Sequence, residues 1–199
     1  MTLKRQLEQD FDQNRNWAHR RQLGIPNNRR LWVCACMDER LPVDDVLGIR
    51  GDHGDAHVFR NAGGLITDDA IRSAMLTTQF FGTEEIVIIN HTECGMMSAH
   101  AETLCKCLED KGIDLDNVPL DPSLPELTLQ PGAFAKWLRM FDDVDEICAR
   151  QVEYVRNHPL IPDHVTVSGW VYEVETGRLR PPHQRISEHV NTSKQMKAK

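Results

Sequence analysis

No apolar run in the sequence approaches the roughly 18 residues that a membrane span needs, so no membrane anchor is expected. The first stretch, Met1 to Asp10, has no apolar h-region, and no secretory signal is expected from it. Basic blocks are missing too. The 23 Lys and Arg are outnumbered by 30 Asp and Glu, and a formal charge of −7 argues against nucleic acid as a partner. The six cysteines, without a signal, point to a reducing, cytoplasmic setting and to free thiols or metal ligands rather than disulfides. Cys105-Lys-Cys107 has no His or second Cys pair beside it to complete a site; for Cys34, Cys105, Cys107 and Cys148 the plain expectation is a small buried hydrophobe or incidental thiol. At 199 residues the chain fits one domain with appended arms.

What the sequence does contain is concentrated between Trp32 and Arg40, Trp-Val-Cys-Ala-Cys-Met-Asp-Glu-Arg. The stretch opens as a buried strand would, then switches to Cys36, Asp38 and Arg40: a soft metal ligand, an acid and a permanent cation. In open α/β sheets ligands bind at the carboxyl ends of strands. A lone cysteine cannot hold a metal. Its best partners are His91 and Cys94, in His91-Thr-Glu-Cys94, again straight after an apolar run, Ile86 to Ile89.

Around these two stretches the pattern alternates. Residues 3 to 22 carry Leu3, Leu7, Phe11 and Trp17 at loosely helical spacing, a narrow stripe that needs a surface to lie on. Leu31 to Cys36 reads as the first strand, Leu41 to Leu47 as a short helical segment closed by Gly48, and Ala56 to Arg60 as a second strand before Gly63-Gly64. Thr67 is placed to cap a helix with Asp68 and Asp69 in its first turn, ending at Phe80-Phe81-Gly82. Ile86 to Ile89 has the continuous apolarity of a central strand. Helix is expected from Gly95 to about Asp110, an irregular excursion over 111 to 132, and one helix from Phe134 to Asn157. Val165 to Val174 is a long strand that turns at 175 to 178 into a short return around Leu179. The tail beyond Pro181-Pro182 is polar. The expectation is an α/β fold with a mostly parallel central sheet flanked by helices, and right-handed crossovers put the ends after Cys36 and Ile89 on one edge. Residues 1 to 23 form an N-terminal helical arm, 24 to 180 the core with a C-terminal β extension, and 181 to 199 a tail.

Two thiolates and one imidazole suit zinc above other common metals. Three protein ligands leave a fourth tetrahedral position open, the mark of a catalytic rather than a structural site; there zinc lowers the pKa of water to about 7. Asp38, two residues past Cys36, can reach that position, either accepting a hydrogen bond from the water or binding the metal and closing the site. Arg40 can hold Asp38 bidentately and keep it ionised. A closed, non-enzymatic zinc module is the rival reading; it lacks a fourth good ligand, since Cys34 sits inside the strand and Asp38 is a poor structural ligand beside thiolates. His53, His57, His100, His158 and His164 are not expected to be ligands.

Cys36-x-Asp38-x-Arg40 with His91-x-x-Cys94, together with Arg60-Asn61-Ala62-Gly63-Gly64 and Thr67 to Ser73, resembles the β-class carbonic anhydrases. The flanks, Gly24 to Val33, Leu76 to Thr83, Arg156 to Pro162 and Tyr172 to Thr176, resemble one branch of that family, the carbon disulfide hydrolases. The resemblance implies a β-carbonic-anhydrase-like fold and one zinc per subunit on Cys36, His91 and Cys94. It implies an Asp38–Arg40 pair, and a homodimer clasped by the arm and assembled into higher homo-oligomers. It also implies a narrow apolar tunnel matched by Phe80 and Phe81, whose plain alternative is packing at a helix end. The implied reaction is hydrolysis of a small apolar triatomic substrate, carbon disulfide, through carbonyl sulfide to carbon dioxide and hydrogen sulfide, by zinc-bound hydroxide. Hydration of carbon dioxide and hydrolysis of carbonyl sulfide as the main reaction are the alternatives.

Overall fold

The computed structural model describes Leu3, residues 17–121 and residues 123–183. Most of the amphipathic stripe of the N-terminal arm and the tail from residue 184 onward lie outside the described residues; within the arm a short helix, α1, covers Trp17–Arg20.

The core is a five-stranded sheet in the order β2-β1-β3-β4-β5. Strands β1 (Leu31–Cys36), β2 (Ala56–Asn61), β3 (Glu85–His91) and β4 (Thr166–Glu173) are all parallel, and β5 (Arg178–Arg180) returns antiparallel along β4. Strands β1 and β3 lie inside the sheet, and their uninterrupted apolar runs follow from burial on both faces. Val33, Ala35, Val87 and Ile89 face one core with Leu41, Val43 and Ile49. Trp32, Cys34, Ile86 and Ile88 face the other.

Val43 belongs to α2 (Val43–Leu47), which Gly48 ends in the left-handed conformation, φ 58°. On the opposite face lies α3 (Asp68–Phe80), packing Ala70, Ile71 and Ala74. Thr67 caps it by accepting from the Ala70 N–H, and Asp68 and Asp69 complement its dipole. Gly169 lets the last long helix approach β4: a Cβ there would lie 2.6 Å from Val152 Cγ2 and 2.8 Å from Cys148 Sγ.

Two boundaries differ from the sequence reading. Residues 95–97 are not helical; a single 3-10 turn at Ser98–His100 leads into α4 (Ala101–Glu109). The helix expected from Phe134 to Asn157 is two, α5 (Phe134–Leu138) and α6 (Val144–Arg156). Arg139 takes a left-handed conformation that stops the first, and the Asp143 carboxylate caps the second by accepting from the Asp145 and Glu146 N–H groups. The apolar spacing continued across the break because Phe141 is buried from the linker rather than from a helix. The described residues between 111 and 132 are irregular, apart from an isolated bridge between Pro119 and Thr128. Among the described residues no helix is long and apolar enough to cross a membrane.

Candidate metal centre

Cys36 is the last residue of β1 and His91 the last of β3, so the parallel pairing of these neighbours delivers both to one edge of the sheet. Cys94 follows one turn later. The ligating atoms of the three lie within 4.8 Å of one another, and Cys36 Sγ and Cys94 Sγ are 3.9 Å apart. His91 is fully buried. Its Nδ1 lies 2.7 Å from the Thr92 carbonyl oxygen; that oxygen can only accept, so Nδ1 carries the hydrogen and Nε2 keeps its lone pair. Nε2 is buried and has no hydrogen-bond partner. A buried orphan acceptor costs about 1–3 kcal/mol, and facing two thiols it is what a metal ion would satisfy. The donor set, two sulfurs and one imidazole nitrogen, fits zinc. Among the described residues no other group of three such side chains could hold a metal.

The two thiols lie within hydrogen-bond reach of one another, and this contact lowers the Cys36 pKa against the opposing effect of burial, with His91 assisting. The same contact and burial push Cys94 up. Burial alone would lower the His91 value, but the nearby Cys36 sulfur outweighs it, helped by the Thr92 carbonyl, and the net shift is upward. Cys34 stands apart: its Sγ is directed at the Leu65 carbonyl and burial pushes the thiol up to about 12, which leaves it inert. Cys148 is also raised to about 12 by burial, and Cys105 and Cys107 sit on α4.

Asp38 lies at the rim of this cluster, with Oδ2 3.8 Å from His91 Nε2. It faces Arg40 with both oxygens: Arg40 Nε donates to Oδ1 at 3.1 Å, Nη2 to Oδ2 at 2.9 Å, and the Arg40 backbone N–H to Oδ1 at 2.9 Å. These bonds hold the carboxyl well below the usual carboxylate range. Arg40 also donates to Glu93, through Nη1 to Oε2 and Nη2 to the backbone oxygen, both at 3.0 Å. It therefore bridges the loop after β1 and the loop between His91 and Cys94.

Several supporting residues were given no place at the site from the sequence, although Arg60 and Gly64 fall in a quoted motif. Arg60, on β2, donates to the carbonyls of Cys36 (2.9 Å), Asp38 (2.7 Å) and Leu41 (3.1 Å), pinning the loop that carries Asp38. Gly64 sits directly on the two ligand strands: a Cβ there would lie 2.7 Å from Cys36 N and 2.7 Å from Ile89 O. The glycine turn is clamped from behind. Asn90 Nδ2 donates to the Gly63 and Gly64 carbonyls. Gln151, 3 % exposed, accepts from the Ile66 N–H at 2.5 Å and donates to Gly64 O and Asn90 Oδ1. The available signal was Gln151 itself, a polar residue among the apolar positions Ile147, Cys148, Val152 and Val155.

Phe80 and Phe81 lie elsewhere. They end α3 next to the start of β3, whereas the cluster lies at its end, roughly 20 Å away by strand rise. Phe80 is 72 % exposed, and Phe81 packs its ring against His57. Within one chain, neither lines the cluster. His57 bonds Thr77 and the Ile25 carbonyl, His158 accepts from the Leu160 N–H, and among the described residues no other histidine joins the cluster.

The carbonic anhydrase family profile covers residues 31–179. A carbon disulfide hydrolase of Acidithiobacillus thiooxidans is 77% identical over 199 residues, the full length of both chains. The carbon disulfide hydrolase of Saccharolobus solfataricus is 49% identical, covering 92% of this chain and 91% of its own. Among solved structures, the apo form of a carbon disulfide hydrolase superposes with a TM-score of 0.76 at 47% identity, covering 93% of this chain and 94% of that one. A carbonic anhydrase from Streptococcus mutans gives 0.67 at 31% identity, covering 92% and 99%. The chain belongs to the β-class carbonic anhydrase family of enzymes.

Proposed function

We propose that this protein is a zinc-dependent hydrolase that converts carbon disulfide, through carbonyl sulfide, to carbon dioxide and hydrogen sulfide. The observation that carries the reading is the buried three-donor cluster with its orphaned His91 Nε2, in a chain 77% identical along its whole length to a carbon disulfide hydrolase. Cys36, His91 and Cys94 hold one zinc per subunit. When bound, the metal supplies a Lewis acid that acidifies water and takes up negative charge developing on sulfur.

The chain's own residues do the rest. Asp38 is a fixed acceptor: its carboxylate is anchored by Arg40 and receives the hydrogen bond of the attacking water, so the oxygen lone pair points at the substrate carbon. Arg40 keeps Asp38 ionised and turned to the rim. In each round a C=O double bond replaces a C=S double bond, and the sulfur leaves as hydrogen sulfide carrying both protons of the water. Carbon disulfide and water give carbonyl sulfide and hydrogen sulfide; carbonyl sulfide and a second water give carbon dioxide and hydrogen sulfide.

The substrate has neither charge nor hydrogen-bond donors, so selection rests on size, apolarity and exclusion of bulk water. The core is one catalytic domain over residues 24–180. The protein assembles as a homodimer clasped by the arm of residues 1–23, and dimers assemble into larger homo-oligomers. Phe80 and Phe81 line an access tunnel only as residues contributed by a neighbouring subunit, given their place in the chain. The enzyme works in the cytoplasm. A side-by-side assay with carbon disulfide, carbonyl sulfide and carbon dioxide tests the reading: sulfide release from the first two is expected, and rapid carbon dioxide hydration without sulfide release would make the protein a carbonic anhydrase instead.

A further inference from the structure

The residues between the two late ligands do more than span a gap. His91 and Tyr172 form the last paired position of β3 and β4. One residue on, the Thr92 N–H donates to the Tyr172 carbonyl at 3.0 Å. The Thr92 side chain then extends the ladder by a further rung: its Oγ1 accepts from the Val174 N–H at 3.0 Å, where a strand carbonyl would otherwise stand. The same hydroxyl donates to Glu175 Oε2 at 2.7 Å, in the turn between β4 and β5. Thr92 is thereby tied to the C-terminal β extension by three hydrogen bonds.

The consequence lies at its backbone. The Thr92 carbonyl accepts from His91 Nδ1, so its direction sets the plane of the imidazole and the aim of Nε2 into the cluster. That carbonyl belongs to the peptide joining Thr92 to Glu93, and Glu93 has φ 53°, a left-handed conformation that a non-glycine residue keeps only when its surroundings enforce it. The enforcement comes from both sides: Thr92 is held by Val174 and Glu175, and Glu93 by Arg40 through carboxylate and backbone oxygen.

We propose that Thr92 and Glu175 are positioning residues for the metal ligand His91: the Glu175–Thr92 contact locks the peptide whose carbonyl orients the imidazole, so the β4–β5 turn governs how tightly the site holds zinc. This rests on the reading of the cluster as a zinc site. Neither residue needs to touch metal or substrate. Glu175 is exposed on a turn, so its substitution leaves the core intact.

The test is zinc affinity, measured by chelator competition on the full-length protein, with the visible absorption of the cobalt-substituted protein as a second readout. Glu175→Ala and Thr92→Val are expected to weaken zinc binding about tenfold, within the 10–100-fold range seen when a ligand's outer partner is lost, and to alter the cobalt spectrum. Glu175→Gln and Thr92→Ser keep an acceptor and a hydroxyl at these positions and are expected to restore both readouts. The double substitution Thr92→Val with Glu175→Ala should be no weaker than the worse single change. Wild-type affinity and spectrum in Glu175→Ala would overturn the proposal, as would a Glu175→Gln variant as weak as Glu175→Ala, since charge and not the hydrogen bond would then act. A wild-type protein that binds no zinc would instead overturn the zinc reading itself.

Discussion

Gly64 offers the sharpest perturbation of the frame that holds the ligands. It has φ 60°, and a methyl group there would lie 2.7 Å from Cys36 N, 2.7 Å from Ile89 O and 3.0 Å from Ala35 C, all backbone atoms of β1 and β3. Nothing flexible can swing away, so the strands themselves must move. Gly48 is the natural control: its φ is 58°, and a Cβ would have nothing within 4 Å. Both substitutions to alanine pay the left-handed penalty of about 1–2 kcal/mol. Only Gly64→Ala adds overpacking, about 1–3 kcal/mol in a close-packed interior. Gly64→Ala should therefore be destabilised by about 2–5 kcal/mol, and Gly48→Ala by about 1–2 kcal/mol. Urea unfolding at equal subunit concentration measures both, because oligomer stability depends on concentration. The displaced strand ends carry Cys36 and, two residues past Ile89, His91, so Gly64→Ala should also lose zinc affinity while Gly48→Ala keeps it. Equal stability of the two variants, with zinc affinity intact in Gly64→Ala, would refute the close-approach argument.

Other outcomes follow from the same geometry. Cys36→Ser, His91→Ala and Cys94→Ser should each lose zinc, by metal content, and with it sulfide release; full activity without zinc in any of them would contradict the assignment. Asp38→Ala should retain zinc and lose about a hundredfold or more in turnover, and wild-type rates would remove its proposed role. Asp145 accepts from Arg180 at 2.5 and 3.2 Å and from the His183 N–H at 2.6 Å, tying the end of the β extension to the start of α6. Burial would raise its pKa, but these donors outweigh it and hold the carboxyl below its ordinary value. The depressed value stabilises the fold above the unfolded aspartate pKa of about 3.9, and that stability is lost as pH falls through it toward the folded-state value. Asp145→Asn should thus cost about 1–2 kcal/mol at neutral pH, and the gap to wild type should close in unfolding experiments taken toward pH 3; a gap that widens on acidification would show the sign to be wrong.

The parts of this site that were legible in the sequence are those with strong local chemistry. Cys36 and His91 each close an apolar run, and parallel pairing of buried strands then brings strand ends together almost without choice. Thr67 with Asp68 and Asp69 announced α3 for similarly local reasons. What was not legible depends on long-range packing. The break at Arg139 interrupts a helix whose apolar spacing runs on unbroken, because Phe141 is buried from a linker. Arg60, Gln151, Glu93 and Glu175 act through hydrogen bonds to backbone or side-chain groups that are distant in sequence; only Glu93 and Arg40, opposite charges that each lie within a motif, could have been matched. The position of Phe80 and Phe81 shows the converse: a motif likeness says that residues belong to a family pattern, not on which side of the sheet edge they stand.

The most direct test of the central claim is zinc K-edge X-ray absorption on the protein as purified with one zinc per subunit. Two sulfurs and nitrogen or oxygen donors are expected around the zinc, with the sulfur count falling by one in Cys36→Ser or Cys94→Ser variants that keep residual metal. A shell with no sulfur, or with three or four sulfurs, would contradict a centre built from Cys36, His91 and Cys94.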